Sequence, residues 1–302
     1  SKAGHTFAID ALSGDILWET AVDRALNAVV LRPSNNQLFV ASTSGDAVFV
    51  LDIDDGHVLW KAQPSPKHYF YNSGTLSADE RTIFITNSHG TMYAYDTDSG
   101  SQLWNSQPLS GAARGDALLS VDGSRLFVGS SDGDVCAVST SNGAVDWRFS
   151  TGDSVPAAGV LSANGDTFYL GTTDSRVLAL DTTTGDLQWS QMVGDGMFLA
   201  SGVLSSCGTY LYVGSTDGTL YSLDTTKEGR VVSKYVTQTA DGANVQYDFF
   251  TPFPNYDNVP DGADRPRLDD IGGCGIVAAP VLSSDGSTIY VGAGDILHAI
   301  SL

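Results

Sequence analysis

All five tryptophans of the chain stand four residues after a glycine and, in four cases, eight residues after an aspartate, and this recurrence constrains the fold more than any other feature. The first copy is HTFAIDALSGDILW, ending at Trp18. FVLDIDDGHVLW ends at Trp60, YAYDTDSGSQLW at Trp104, CAVSTSNGAVDW at Trp147 and LALDTTTGDLQW at Trp189. A sixth copy, YSLDTTKEGRVVSKY, keeps Asp224 and a glycine displaced by one residue but has no Trp. A seventh, LHAISL, runs into the C-terminus. The aspartate position falls at residues 10, 52, 96, 139, 181, 224 and 301, with serine at 139 and 301. Successive copies are 42, 44, 43, 42 and 43 residues apart, and the last step is 77.

Each unit carries two further strand signals upstream. One is an apolar run ending in a turn, as in ALLSVDG, GVLSANG and PVLSSDG. The next is a β-branched and aromatic run, as in RLFVGS, TFYLGT and TIYVGA. Asp-Gly and Asn-Gly turns between them supply the positive φ that tight hairpins need. Four short strands at a period near 43 predict an all-β chain, a β-propeller of four-stranded antiparallel blades with strands A (inner) to D (outer). Seven blades are predicted, the first lacking strands A and B and the last lacking D, with eight as the alternative. Residues 1–302 then form a single propeller domain, a piece of a longer chain.

The motif has a physical reading. The glycine gives the C–D turn its backbone geometry, the aspartate accepts hydrogen bonds from turn amides, and the indole stacks on the neighbouring blade while its N–H finds an acceptor. The predicted structural docking set is Trp18, Trp60, Trp104, Trp147 and Trp189, with Asp10, Asp52, Asp96 and Asp181 and with Gly14, Gly56, Gly100, Gly143 and Gly185.

Composition narrows the function classes. There are 33 glycines and 17% charged residues, and the acids are 32 Asp against three Glu, a bias toward turns over helices. A net charge of −20 argues against nucleic acid or an anionic lipid surface as partner. No apolar run approaches the ~18 residues of a membrane helix, so direct membrane insertion is not expected. Three widely spaced cysteines, Cys136, Cys207 and Cys274, form neither a disulfide framework nor a zinc motif. No nucleophile elbow, phosphate-binding loop or HExxH is present.

The motif in Ala8-Asp10-Gly14-Trp18, Ala94-Asp96-Gly100-Trp104 and Ala179-Asp181-Gly185-Trp189 resembles the tryptophan-docking motif of the pyrroloquinoline-quinone (PQQ) enzyme repeat. That resemblance covers the chain apart from residues 235–273. It implies a superfamily that includes quinoprotein alcohol dehydrogenases, outer-membrane assembly lipoproteins and propellers appended to acyl-activating enzymes. The dehydrogenases carry adjacent cysteines and a Glu, Asn and Asp around calcium. Here no two cysteines are adjacent, and Glu19, Glu80 and Glu228 map to blade peripheries or to turns at the wrong end. The expectation is a non-catalytic member without cofactor or metal, acting as a scaffold for protein partners in an extracytoplasmic setting (secreted, periplasmic or lumenal). Two alternatives stay open: a quinoprotein-type ligand-binding or dehydrogenase propeller using PQQ and calcium, and a propeller domain of a larger enzyme.

Partner or ligand contacts are expected on the funnel face, where loops enter each A strand. Aligning the repeats places Asn27, Asn72 and Arg114 there, and SPKHYFYNSG adds His68, Tyr69 and Tyr71. A small molecule in the axial funnel is a further expectation. The long step holds about 34 residues beyond the period, so 235–273 is predicted to be a non-repeat insertion over the same face. Its aromatics Tyr247, Phe249, Phe250, Phe253 and Tyr256 are candidate partner contacts.

Overall fold

The computed structural model describes residues 4–23, 29–42, 47–64, 69–107, 109–237, 279–293 and 296–302, and within them the chain is an all-β propeller of seven antiparallel sheets. Blades are numbered in chain order. Blade 4 shows the pattern, with A (Leu118–Leu119), B (Arg125–Gly129), C (Asp134–Ser139) and D (Val145–Ser150) hydrogen-bonded in that order. Blades 2 to 6 each have four strands. Blade 1 contributes only C (His5–Ile9) and D (Ile16–Ala21), and blade 7 only A (Val281–Leu282), B (Thr288–Ala293) and C (Ile296–Ser301). Asn27, His68 and residues 238–278, which hold Cys274 and the five insertion aromatics, lie outside the described residues.

The core is a series of seams between blades. In blade 4, Leu126 and Val128 of strand B pack toward blade 3 with Phe84 and Met92, while Phe127 between them packs toward blade 5 with Phe168 and Leu178. The alternation of a strand therefore feeds two seams at once. This explains why B and C strands are almost wholly buried. Strand D is the outer edge, and its residues alternate between half-buried and exposed, as in Val145–Ser150.

Pairing between C and D shifts at the same place in blades 1 to 6, for example between Ala137 and Val138. The extra residue is the one before the tryptophan position, and in blade 4 it is Asp146. Such a bulge turns the edge strand and leaves that residue outward. Leu17 is 65% exposed for this reason, not through a packing defect.

The A–B turns share a side-chain staple. Ser120 Oγ donates to Asp122 Oδ1 at 2.6 Å, Ser77 to Asp79 at 2.6 Å, Ser162 to Asn164 at 2.7 Å and Ser283 to Asp285 at 2.6 Å. Cys207 replaces the acid in blade 6, with its Sγ 3.4 Å from Ser205 Oγ. Cys207 is exposed and Cys136 buried, and both are free thiols. The Ser120 hydroxyl, then the backbone N–H and hydroxyl of Ser124, hold Asp122 down to about 2, and Ser283 and Ser287 do the same for Asp285. A depressed carboxylate pKa stabilises the fold above the ordinary value of 3.8 and loses that contribution as pH falls through the folded value. The melting temperature followed by circular dichroism is expected to stay level from pH 7 to about 4 and to fall between about 4 and 2. A fall complete by pH 5 would contradict this.

Candidate functional site

Two sites emerge, one between blades and one at the funnel. The indole N–H of Trp18 donates to the Ile53 carbonyl at 2.7 Å, that of Trp60 to Thr97 at 3.0 Å, that of Trp104 to Thr140 at 2.9 Å and that of Trp147 to Thr182 at 3.0 Å. Each acceptor lies in the next blade, one residue past its motif aspartate position. Each ring also covers the next blade's motif glycine. A Cβ on Gly56, Gly100, Gly143 or Gly185 would sit 2.5–2.7 Å from the Trp18, Trp60, Trp104 or Trp147 ring, and one on Gly229 would sit 2.4 Å from Trp189. The glycine is thus a socket as well as a turn residue. Gly14 shares the positive φ but has nothing within 4 Å.

The motif aspartates cap their own turns. Asp10 Oδ1 accepts from the amides of Leu12 and Ser13, Asp52 from Asp54, Asp96 from Ser99, and Asp181 from Thr183 and Thr184. The residue after each aspartate position went unnoticed in the sequence, although DT or ST recurs in blades 3 to 6. The hydroxyls of Thr97, Thr140, Thr182 and Thr225 donate to carbonyls of their own A–B turns, at Glu80, Gly123, Gly165 and Gly208, each at 2.8–2.9 Å. In blades 3 to 5 the same threonine accepts the preceding blade's indole.

Blade 6 breaks the pattern. Ser233 pairs with Ser222 where Trp147 pairs with Ala137, so Ser233 occupies the tryptophan position. Tyr235, two residues on, meets blade 7 instead. Its ring lies edge-on to His298 at 5.9 Å, with Oη 3.4 Å from Nδ1.

At the funnel, one backbone hydrogen bond recurs in four blades. The B–C turn donates to the loop entering strand A: Ser88 to the Tyr69 carbonyl, Ser131 to Ala112, Thr173 to Ser154 and Thr216 to Met197, at 2.7–3.0 Å. Two residues beyond each acceptor stand Tyr71, Arg114, Pro156 and Leu199, which line an open cavity of about 310 Å³. Tyr71, Asn72, Ser73, Arg114 and Asp116 form its polar side, and Pro156, Ala157, Ala158, Leu199 and Ala200 its apolar side. The loops crowd near the axis, since a Cβ on Gly115 would lie 2.3 Å from the Ala158 amide nitrogen.

The Arg114 guanidinium carbon lies 5.5 Å from the centre of the Tyr71 ring. Asp116, which sequence reasoning passed over, accepts at Oδ1 from the amides of Ser73 at 2.6 Å and Gly74 at 3.3 Å. Asn72 is buried and its Oδ1 accepts from the Thr86 amide at 3.4 Å, so it braces the blade 3 wall. The structure brings Tyr71, Asn72 and Arg114 together and leaves the exposed Tyr69 out of the cavity lining.

Asp52, Asp55 and His57 bring ligand atoms within 4.8 Å of one another at the C–D turn of blade 2. That turn is on the opposite face, and the 2.6 Å contact from His57 Nδ1 to Asp55 already occupies two of them.

A sequence profile of the PQQ-repeat family described as outer membrane protein assembly factor BamB matches residues 1–115 and 71–248. The chain belongs to the BamB-type PQQ-repeat family. A curated relative, the outer membrane protein assembly factor BamB of Shewanella oneidensis, is 28% identical over 159 residues. That match covers 47% of this chain and spans only 38% of the relative's length.

Within this family frame, the quinone and calcium set implied for dehydrogenases of the same repeat does not fit the funnel described here. Its lining offers Asn72 and Asp116 but no glutamate, and Asp116 already commits Oδ1 to two amides. Glu19 lies in an outer strand, and Glu80 and Glu228 are turn residues with positive φ.

Proposed function

We propose that the chain is a non-catalytic scaffold of the outer-membrane assembly type, acting in an extracytoplasmic compartment by docking protein partners on its funnel face and using neither cofactor nor metal. The match to the BamB-type repeat over residues 1–248 carries this reading. The open cavity supports it, because a shallow bowl lined by pinned loops suits a protruding segment of another protein better than an enclosed small molecule. We also place the segment 235–273 in this role, as a non-repeat insertion that adds contacts on that face.

Site-specific photocrosslinking tests the reading. A crosslinkable residue replacing Tyr71 in the full natural protein, expressed in its own cells, is expected to capture discrete envelope proteins. The same residue at Leu12, fully exposed on a C–D turn at the opposite face, serves as reference. Equal capture from both positions, or none from Tyr71, would remove the funnel face as the docking surface.

A further inference from the structure

The loops that enter strand A are tied to one another around the axis, and successive junctions are built differently. Three residues before the aligned A-strand leucine stand Ser73, Asp116, Ala158, Ser201 and Ala279 in blades 3 to 7, and all five line the cavity. Between blades 5 and 6 the Ser201 hydroxyl donates to the Ala158 carbonyl at 2.5 Å, reaching the same position of the preceding blade. Between blades 4 and 5 the backbones meet directly, leaving no room for a Cβ on Gly115 against Ala157 and Ala158. Between blades 3 and 4 the backward reach is made by an acid, with Asp116 Oδ1 on the amides of Ser73 and Gly74. A second tie runs beside it, from the Thr75 hydroxyl to the Ala117 carbonyl at 2.5 Å.

A serine or a close backbone contact closes the neighbouring junctions, so the propeller does not require a carboxylate at this position. What the carboxylate adds is a charge-assisted grip on two consecutive N–H groups, each bond about twice as strong as a neutral one. The grip falls where pairing constrains the chain little, since strand A of blade 3 is only Thr75–Leu76 and Gly74 before it holds φ at 93°. Tyr71 and Asn72 directly precede the gripped amides, and Arg114 stands two residues before Asp116. This one contact therefore sets the spacing of the cavity's polar wall across two blades.

We propose that Asp116 is a positioning residue for partner docking: by holding the Ser73 and Gly74 amides across the junction of blades 3 and 4, its carboxylate forms the polar wall of the funnel before a partner arrives. This role rests on the scaffold reading and deepens it. A wall already in place spares the complex the cost of ordering it, about tenfold in affinity for each residue otherwise fixed on binding.

Hydrogen exchange read by mass spectrometry on the full natural protein, with photocrosslinking in its own cells, tests this role. In Asp116→Ala, peptides covering residues 70–76 are expected to exchange about tenfold faster, the scale of a hydrogen bond to a charged group. Peptides from strand B of blade 5 (Thr167–Gly171) and the melting temperature are expected to stay as in the wild type. Asp116→Asn, which keeps an acceptor oxygen but not the charge, is expected to restore most of the protection. With a crosslinkable residue at Leu199, on the apolar wall away from the tie, capture of envelope proteins is expected to fall about tenfold in Asp116→Ala and to recover in Asp116→Asn. Unchanged exchange at 70–76 would overturn the proposal. So would a rise spread through the whole molecule with a lowered melting temperature, which is what a purely structural acid gives. Faster local exchange with undiminished capture from Leu199 would overturn it as well. In each of these cases wild-type capture from the funnel leaves the scaffold reading standing. No wild-type capture from either Leu199 or Tyr71 removes that reading and the positioning role with it.

Discussion

Replacing Trp147 by alanine is expected to destabilise the propeller by about 3–5 kcal/mol, the range for truncating a well-packed aromatic. The indole fills the seam between blades 4 and 5. It stacks on Phe127 with ring centres 5.8 Å apart and planes 29° apart, and it covers Gly185. Truncation leaves a cavity under blade 5 and removes the donor to the Thr182 carbonyl. Trp147→Phe is intermediate, since it keeps a six-membered ring in the seam but loses the pyrrole half together with the hydrogen bond, and is expected to cost more than the about 1 kcal/mol of the hydrogen bond alone and less than Trp147→Ala. Urea unfolding followed by circular dichroism reads both. If Trp147→Ala shifts the midpoint no more than Leu12→Ala at a fully exposed position, the indole is not a coupling between blades.

The second large effect contrasts two glycines of the same motif. Gly14 and Gly185 both have positive φ, 77° and 78°, so alanine at either adds left-handed backbone strain of about 1–2 kcal/mol. Only Gly185 has an indole on it, and a Cβ there would meet the Trp147 ring at 2.6 Å. Overpacking adds about 1–3 kcal/mol on top of the strain. Gly185→Ala is therefore expected to lower the unfolding midpoint more than Gly14→Ala by that increment. Combining Gly185→Ala with Trp147→Ala should cost less than the sum of the two, because the clash disappears with the ring. Equal effects at the two glycines would show that the turn alone accounts for the motif.

Blade number, strand order and incomplete terminal units were legible because the period and the Asp-x-x-x-Gly-x-x-x-Trp offsets are local. The acceptor of each indole was not, because it is a backbone carbonyl 35–37 residues away, and carbonyls leave no trace in sequence. The socket role of the glycine was hidden for a related reason: the turn geometry already accounts for a glycine there. At the funnel, aligning the repeats found Tyr71, Asn72 and Arg114. Alignment could not separate Asn72, which hydrogen-bonds within its blade, from Arg114, which faces the cavity, since both occupy loop positions of the same kind. Asp116 was passed over because it follows the aligned positions, and only the fold carries it back to the amides of Ser73 and Gly74.

Every indole described reaches forward, from one blade to the next, so the seams act as nearest-neighbour couplings along a one-dimensional array. The couplings are not equal. With Ser233 in the tryptophan position, the sixth seam rests on Tyr235 and His298 and on a smaller apolar cluster of Tyr212, Leu220, Ile289 and Val291. Among the six forward seams described, the sixth has no indole and the smallest apolar cluster, so it is the weakest of these couplings. The segment interrupting the repeat enters the chain at this same joint, directly after strand D of blade 6. The sequence is least regular where the array is least tightly coupled.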